Sequence, residues 1–327
     1  MFHTARTRVG LVGGVTVLLF VSLLLNAILL SNRLGEQATS LSTRDQLAVS
    51  SLLHSSTSLC TARSAPTANK DKMQLYADRE NCTVTATVPA DLFVPIFVLT
   101  RDRVQALRET LETYERTLST RHEIIILDHA STYPPMLEFL RHLQEERHMV
   151  VHTLTEPVWD DALAHADRIM QEYLQQQQPQ VEYYVVTDPD IALKRSNADI
   201  LLFFAGILSS CPDVNVVGPH LQISDLPHQY RGKYHDHTAY EWESQFWKTV
   251  PFMATWRGVG YHFSEQLIDT TFAMRRRTQR FARITCPCIR TYAPYAAVHL
   301  DWYLDSDNLP PDKKYYVAHA FGNVNNW

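Results

Sequence analysis

The chain has 327 residues, 45% of them hydrophobic and 20% charged, a make-up that suits one or two globular domains with a sizeable core. A formal net charge of −5 without a long Lys/Arg run lacks the electrostatic footprint of a duplex-binding protein, so nucleic acid is not an expected partner. Five cysteines (Cys60, Cys82, Cys211, Cys286 and Cys288) are too few for a disulfide scaffold and cannot all pair within one chain.

From Val9 to Leu30 no charged residue intervenes, and the run matches the ~20 residues that span a bilayer as a helix. It is longer than the ~7–15-residue core of a cleavable signal peptide and ends without a small-x-small site, which favours an anchor. Arg6 and Arg8 precede it, so the N-terminus is expected in the cytoplasm and the remainder in the lumen of the Golgi or ER, as a single-pass type II protein. The expected divisions are a cytoplasmic tail (1–8), a transmembrane signal anchor (9–30) and a stem (31–90) rich in Ser, Thr and Ala. Within the stem, Asn81-Cys82-Thr83 is an N-glycosylation sequon, meaningful in that topology alone.

Near Leu92 the pattern changes. Leu92 to Leu99 is an apolar run that predicts a buried strand, with Pro95 near its edge or start. Val104, Leu107, Leu111, Tyr114 and Leu118 then form the stripe of an amphipathic helix. Glu123 to Asp128 predicts a second strand, and a Pro-containing turn leads to a helix carrying Leu137, Leu140 and Leu143. Met149 to Leu154 is the third strand. Asp160 or Asp161 can cap the next helix, whose stripe is Leu163, Ala166, Met170 and Tyr173. Glu182 to Thr187 is the fourth strand. This alternation predicts an α/β fold with a mainly parallel, doubly wound sheet and a ligand site beyond the carboxyl ends of its strands.

Asp188-Pro189-Asp190 falls at such an end. Pro189 biases Asp188 toward extended backbone, in which residues two apart share a face. Two carboxylates there form a hard-oxygen patch for Mn²⁺ or Mg²⁺, able to neutralise charge on a departing diphosphate. The alternative is a turn in which each Asp bonds a nearby N–H. Val94–Asp102, Ile124–Thr132 and Tyr183–Asp190 together resemble the nucleotide-sugar half of GT-A (Rossmann-like) glycosyltransferases, particularly family-2-like enzymes. The resemblance implies a nucleotide-diphosphate sugar donor, with Thr100, Arg101 and Asp128 holding base and ribose, and Asp188 and Asp190 serving ribose and metal. Thr100-Arg-Asp-Arg103 departs from the usual family-2 opening. His299 resembles the C-terminal His that completes metal coordination in many GT-A enzymes, and a structural His is the alternative.

The donor half is expected at 91–220 and an acceptor-binding half at 221–327. Beyond Pro219 aromatics accumulate, and Trp242, Trp247, Trp256 and Trp302 are candidates for stacking on the sugar of a glycan, protein or lipid acceptor, unless they are core residues. An inverting transfer needs a carboxylate beside the acceptor hydroxyl. Asp269 is favoured because it follows the glycine-bearing Gly258–Phe263 segment and lies downstream of Asp-x-Asp, as in family-2-like enzymes; Glu243 and Glu241 are the runners-up, and a helix cap is the bland role for Asp269. His235-Asp-His237 and Cys286-Pro-Cys288 do not reproduce paired zinc-ligand spacings. Arg275-Arg-Arg277 is expected on a solvated face, with contact to a diphosphate or an anionic sugar as the alternative. Two competing functions remain: a catalytically silent, glycan-binding GT-A-like membrane protein, and a metal-dependent hydrolase or nucleotidyltransferase.

The topology has a direct test. Endoglycosidase treatment of the full chain expressed in a eukaryotic secretory system is expected to increase its mobility through loss of a glycan at Asn81, and Asn81→Gln is expected to abolish that shift. Protease digestion of intact microsomes that removes residues 91–327 would reverse the orientation.

Overall fold

The computed structural model describes residues 88–89, 91–155, 159–177, 181–234, 236–247, 252–283 and 287–320. The expected tail, anchor and nearly all of the stem, with Asn81, lie outside the described residues. Among the described residues no helix is long and apolar enough to cross a membrane.

The first half follows the expected alternation: β1 (Phe93–Thr100), α1 (Val104–Thr117), β2 (Arg121–His129), α2 (Pro134–Glu145), β3 (Val150–Leu154), α3 (Trp159–Gln176) and β4 (Tyr183–Thr187). Successive side chains of β1 point to opposite faces of the sheet. Val94, Ile96 and Val98 enter one core with Leu107, Leu111 and Tyr114 of α1 and Met136 and Leu143 of α2. Phe97 and Leu99 enter a second core with Ala166, Met170 and Leu174 of α3. Helices therefore cover both faces, which is why the strands read as continuous apolar runs. Pro95 lies inside β1 and not at its edge. β1 pairs with β2 along its whole length but with β4 only from Ile96 onward, so the missing N–H precedes the second ladder.

The second half adds β5 (Ile191–Ala192), α4 (Ile200–Ser210), β6 (Val216–Pro219), β7 (Lys233–Tyr234), β8 (His237–Thr238), α5 (Ala239–Ser244), β9 (Phe252–Trp256), β10 (Val259–Glu265), β11 (Ala273–Arg276), β12 (Cys288–Thr291), β13 (Val298–His299), a 3-10 turn (Leu300–Tyr303) and α6 (Pro311–Ala318). One nine-stranded sheet runs β3-β2-β1-β4-β11-β6-β12-β10-β9. β11 is antiparallel to β4 and β6, and β10 to β12 and β9, while the other pairings are parallel. Followed across the sheet, β10 and β11 alone run against the rest. The sheet is largely parallel, and the 221–327 portion extends it instead of forming a separate layer.

Two sequence expectations are corrected in this half. Arg257 and Gly258, at φ 51° and 80°, form the two-residue turn between Trp256 and Val259, so that glycine serves a hairpin and not a substrate loop. Nor is Arg275-Arg-Arg277 a solvated run: Arg275 is buried, donates to the carbonyls of Ala273 and Ala282 and lies 5.2 Å over Phe281. Arg276 donates to Val214, Leu208 and Cys211 carbonyls around the end of α4.

A two-residue ribbon, β5 with β13, pairs His299 with Ile191. The buried Tyr114 hydroxyl donates to Ile191 O at 2.7 Å, tying α1 to this ribbon. Tyr114→Phe leaves that carbonyl unpaired, and chemical denaturation is expected to show a loss of about 1–3 kcal/mol. An unchanged midpoint would show the ribbon to be held without it.

Candidate active site

A cavity of about 370 Å³ opens beyond the carboxyl ends of β1 and β4, and both Asp188 and Asp190 line it. Asp188 directly follows β4 and Asp190 sits with Pro189 on the turn before β5, and the two share a wall. Burial, then the nearby charges of Asp269 and Asp190, push the Asp188 carboxyl up to about 8. Thr270 holds it from the adjoining loop: its hydroxyl donates to Asp188 Oδ2 at 2.5 Å, and its carbonyl accepts from Asp188 N at 2.8 Å.

The β5–β13 pairing brings His299 beside Asp190, with Nδ1 3.6 Å from Oδ2 and Leu300 N donating to Asp190 O at 2.8 Å. The His299 ring lies parallel to Trp302, 4.4 Å centroid to centroid. Its Nδ1 is buried without a hydrogen-bond partner. A lone imidazole nitrogen facing a carboxylate oxygen beyond hydrogen-bond reach is a donor set that fits a divalent cation. Asp188 is a second source of oxygen on the wall. Among the described residues no group of three or more His, Cys, Asp or Glu side chains is drawn together so as to hold a metal ion.

Beside Asp188 runs the loop from Gln266 to Phe272, which carries Asp269. Gly218 of β6 lets this loop pack closely, since a Cβ there would meet Ile268 Cγ2 and Thr271 O at 3.3 Å. The Asp269 side chain is 35% exposed, 4.0 Å from Arg283, and its Oδ1 has no hydrogen-bond partner. Glu243 of α5 also lines the cavity but is 2% exposed and bound to Arg290 Nη1 at 2.6 Å. Burial pushes Glu243 up to about 7, against the pull of Arg290.

Thr100, Arg101, Trp242 and Trp302 complete the expected residues on the lining. Thr100 presents a buried hydroxyl without a partner, and Arg101 donates to His129 O at 3.2 Å. The other candidates stand elsewhere. Asp128 is fully buried, accepts from Ser131 Oγ at 2.5 Å and Ser131 N at 3.3 Å, and is not on the lining. Glu241 belongs to the capping box of α5 with Thr238. Trp247 packs on His220 and Tyr292, and Trp256 on Phe203 in the core.

Sequence reasoning missed Arg103, Lys313 and Asp301, which also line the cavity. Arg103 donates to Asp301 Oδ2 at 2.6 Å, and Lys313 Nζ donates to the same oxygen at 2.7 Å. Asp312 Oδ2 accepts from Gln105 N at 2.9 Å and so caps α1 from α6. Burial opposes charge on Asp301, but the two cations hold it well below the usual carboxylate range. No periodicity announces such a cluster, because its members lie at the N-cap of α1, on a 3-10 turn and on α6.

No family model matches the sequence, and no curated protein does. Among solved structures, partial similarity is found to a mannosyltransferase from Pyrobaculum calidifontis in complex with GDP-Man and Mn²⁺, at 20% identity over 46% of this chain and 44% of that one, TM-score 0.31. S. aureus TarS 1–349 is similar at 14% identity over 57% and 47%, TM-score 0.33. Glucosyl-3-phosphoglycerate synthase from Mycobacterium tuberculosis is similar at 10% identity over 41% and 45%, TM-score 0.27. The chain spans less than half the length of each of these. With so partial an overlap, the chemistry has to come from this chain's own residues.

The raised Asp188 carboxyl gives stability a sign with pH. Between its unfolded value near 4 and its folded value of about 8, the folded protein binds the extra proton, so stability falls as pH rises through that window. In EDTA the melting temperature is expected to drop from pH 5 to pH 8, and Asp188→Asn to flatten that slope. Because the buried His129 and His220, both lowered, contribute a slope of opposite sign, the difference between wild type and Asp188→Asn is the readout, and no difference would mean that Asp188 is ionised throughout.

Proposed function

We propose that the chain is a divalent-metal-dependent glycosyltransferase that moves a sugar from a nucleotide-diphosphate donor to a hydroxyl of a glycan, protein or lipid with inversion. One observation carries this: Asp190 and an unpartnered His299 nitrogen share a cavity with an Asp269 oxygen that also has no partner. A candidate metal wall and a carboxylate with one oxygen outside any hydrogen bond, its other oxygen 4.0 Å from Arg283, line a common space and suit a single displacement. The companion proposal from the sequence is a type II anchor that places this domain in the lumen of the Golgi or ER.

In this reading Asp190 and His299, with Asp188, hold Mn²⁺ or Mg²⁺. The ion, when bound, neutralises charge on the departing nucleoside diphosphate. Thr100 and Arg101 face the nucleoside from the end of β1. Asp269 takes the proton of the acceptor hydroxyl while that oxygen bonds to the anomeric carbon and the bond to the diphosphate breaks. Asp269 suits this role better than Glu243 because it is partly exposed and its Oδ1 is unengaged, whereas Glu243 is buried in an ion pair. Trp242, partly exposed on the lining, offers an aromatic face to a sugar ring. Trp302 is buried and backs the His299 ring.

A panel of nucleotide sugars tested against p-nitrophenyl glycosides, with the full chain in detergent and Mn²⁺ or EDTA, identifies the pair. Asp190→Asn is expected to weaken nucleoside-diphosphate binding and remove its response to Mn²⁺. Asp269→Asn is expected to keep that binding and slow turnover by ~10²–10⁴-fold. A folded Asp269→Asn protein with normal turnover would remove Asp269 from the chemistry, and failure of every donor would favour a silent glycan-binding domain.

A further inference from the structure

Arg290 was not among the residues singled out by sequence, and its guanidinium makes three contacts at the acceptor end of the cavity. Nε donates to Leu267 O at 2.7 Å, Nη1 donates to Glu243 Oε1 at 2.6 Å, and the plane lies 4.2 Å from the centroid of the Phe246 ring. Its side chain is 5% exposed. The first contact holds the loop that carries Asp269, two residues beyond Leu267. The others hold Glu243 of α5 and Phe246, two residues beyond that helix, and Trp242 and Phe246 line the same cavity. Arg290 itself is fixed in β12, in register with Gly218 of β6 and Ser264 of β10.

We infer that Arg290 is the positioning residue of the acceptor side, setting the distance between the aromatic wall of α5 and the Asp269 carboxylate. The inference rests on the transferase reading for its kinetic consequence, not for its geometry. The loop has a separate attachment to the donor side through Thr270 and Asp188, so the two anchors act on different substrates. Burying a guanidinium against one carboxylate is a weak source of stability and a strong source of geometry. No neutral side chain reproduces a fork that serves a carbonyl and a carboxylate while presenting its plane to a ring. Lysine can serve one of the two oxygens at a time.

The experiment uses the full chain in detergent, as wild type, Arg290→Gln, Arg290→Lys and Phe246→Leu. Three quantities are read: kcat/KM for a p-nitrophenyl glycoside that the wild type accepts, binding of UDP and GDP with Mn²⁺ by calorimetry, and amide hydrogen exchange. Arg290→Gln is expected to lower acceptor kcat/KM by about 10²-fold, the scale of a 1 Å misplacement, while nucleoside-diphosphate affinity stays at the wild-type value. Arg290→Lys should fall between, and Phe246→Leu should raise acceptor KM more than it lowers kcat. Exchange should rise together in 239–244 and 266–272 and stay unchanged in 93–129. Wild-type kcat/KM in Arg290→Gln overturns the inference, as does a loss of diphosphate binding equal to the loss of rate. If the wild type transfers no sugar, the transferase reading falls, and exchange decides alone: joint loss of protection in the two segments supports Arg290 as their tie, and unchanged protection overturns it.

Discussion

The ion pair between Arg103 and Asp301 joins residues 198 positions apart, and the geometry of the cavity depends on it. Arg103 follows β1, and Asp301 lies two residues after His299, so the pair sets the imidazole relative to the sheet that carries Asp188 and Asp190. Lys313 brings α6 to the same carboxylate. These three side chains are 6%, 3% and 2% exposed, and withdrawing such ions from water costs several kcal/mol each. An apolar cluster of the same volume would be as stable or more so. What the charges supply is direction: a forked guanidinium and a carboxylate meet in few orientations, whereas packed methyl groups slide.

The electrostatics divide the cavity. Toward the β4 end, Asp188 and Asp190 gather carboxyl groups, while Arg103 and Arg290 on the same lining are paired with Asp301 and Glu243. Toward the other end, Glu243 and Arg290 cancel each other beneath Trp242 and Phe246. That end is neutral and aromatic, a surface suited to the C–H faces of a sugar. Asp269 stands between them, and its loop is attached to both.

The first half of the fold was legible because each strand is covered on both faces and each helix on one. Such burial writes itself as apolar runs and three-to-four-residue stripes. Asp188 and Asp190 were legible for a topological reason, since they terminate a strand of that alternation. β11 was not. It runs antiparallel between β4 and β6, and Ala273 to Arg276 includes an arginine that is buried with both terminal nitrogens on carbonyls, so its sequence looks like surface. The role of Arg103 was hidden likewise, because a charged residue after a strand reads as solvent-facing until its partner, far along the chain, is placed beside it. Trp256 and Trp302 show the converse difficulty: composition marks both as sugar-stacking candidates, and only packing shows one in the core and the other behind an imidazole.

The ribbon of β5 and β13 is two residues long on each side, yet the chain leaves it at Ala192 and returns to it at Val298. Everything between is an excursion that begins and ends at one clasp, with Asp190 just outside one arm and His299 on the other. Insertions or deletions within the outer parts of that excursion, such as the stretch of β7, β8 and α5, do not have to shift the two residues at the clasp. A protein built this way can diversify what it recognises by changing the excursion while leaving untouched the short pairing that keeps its carboxylate and imidazole together.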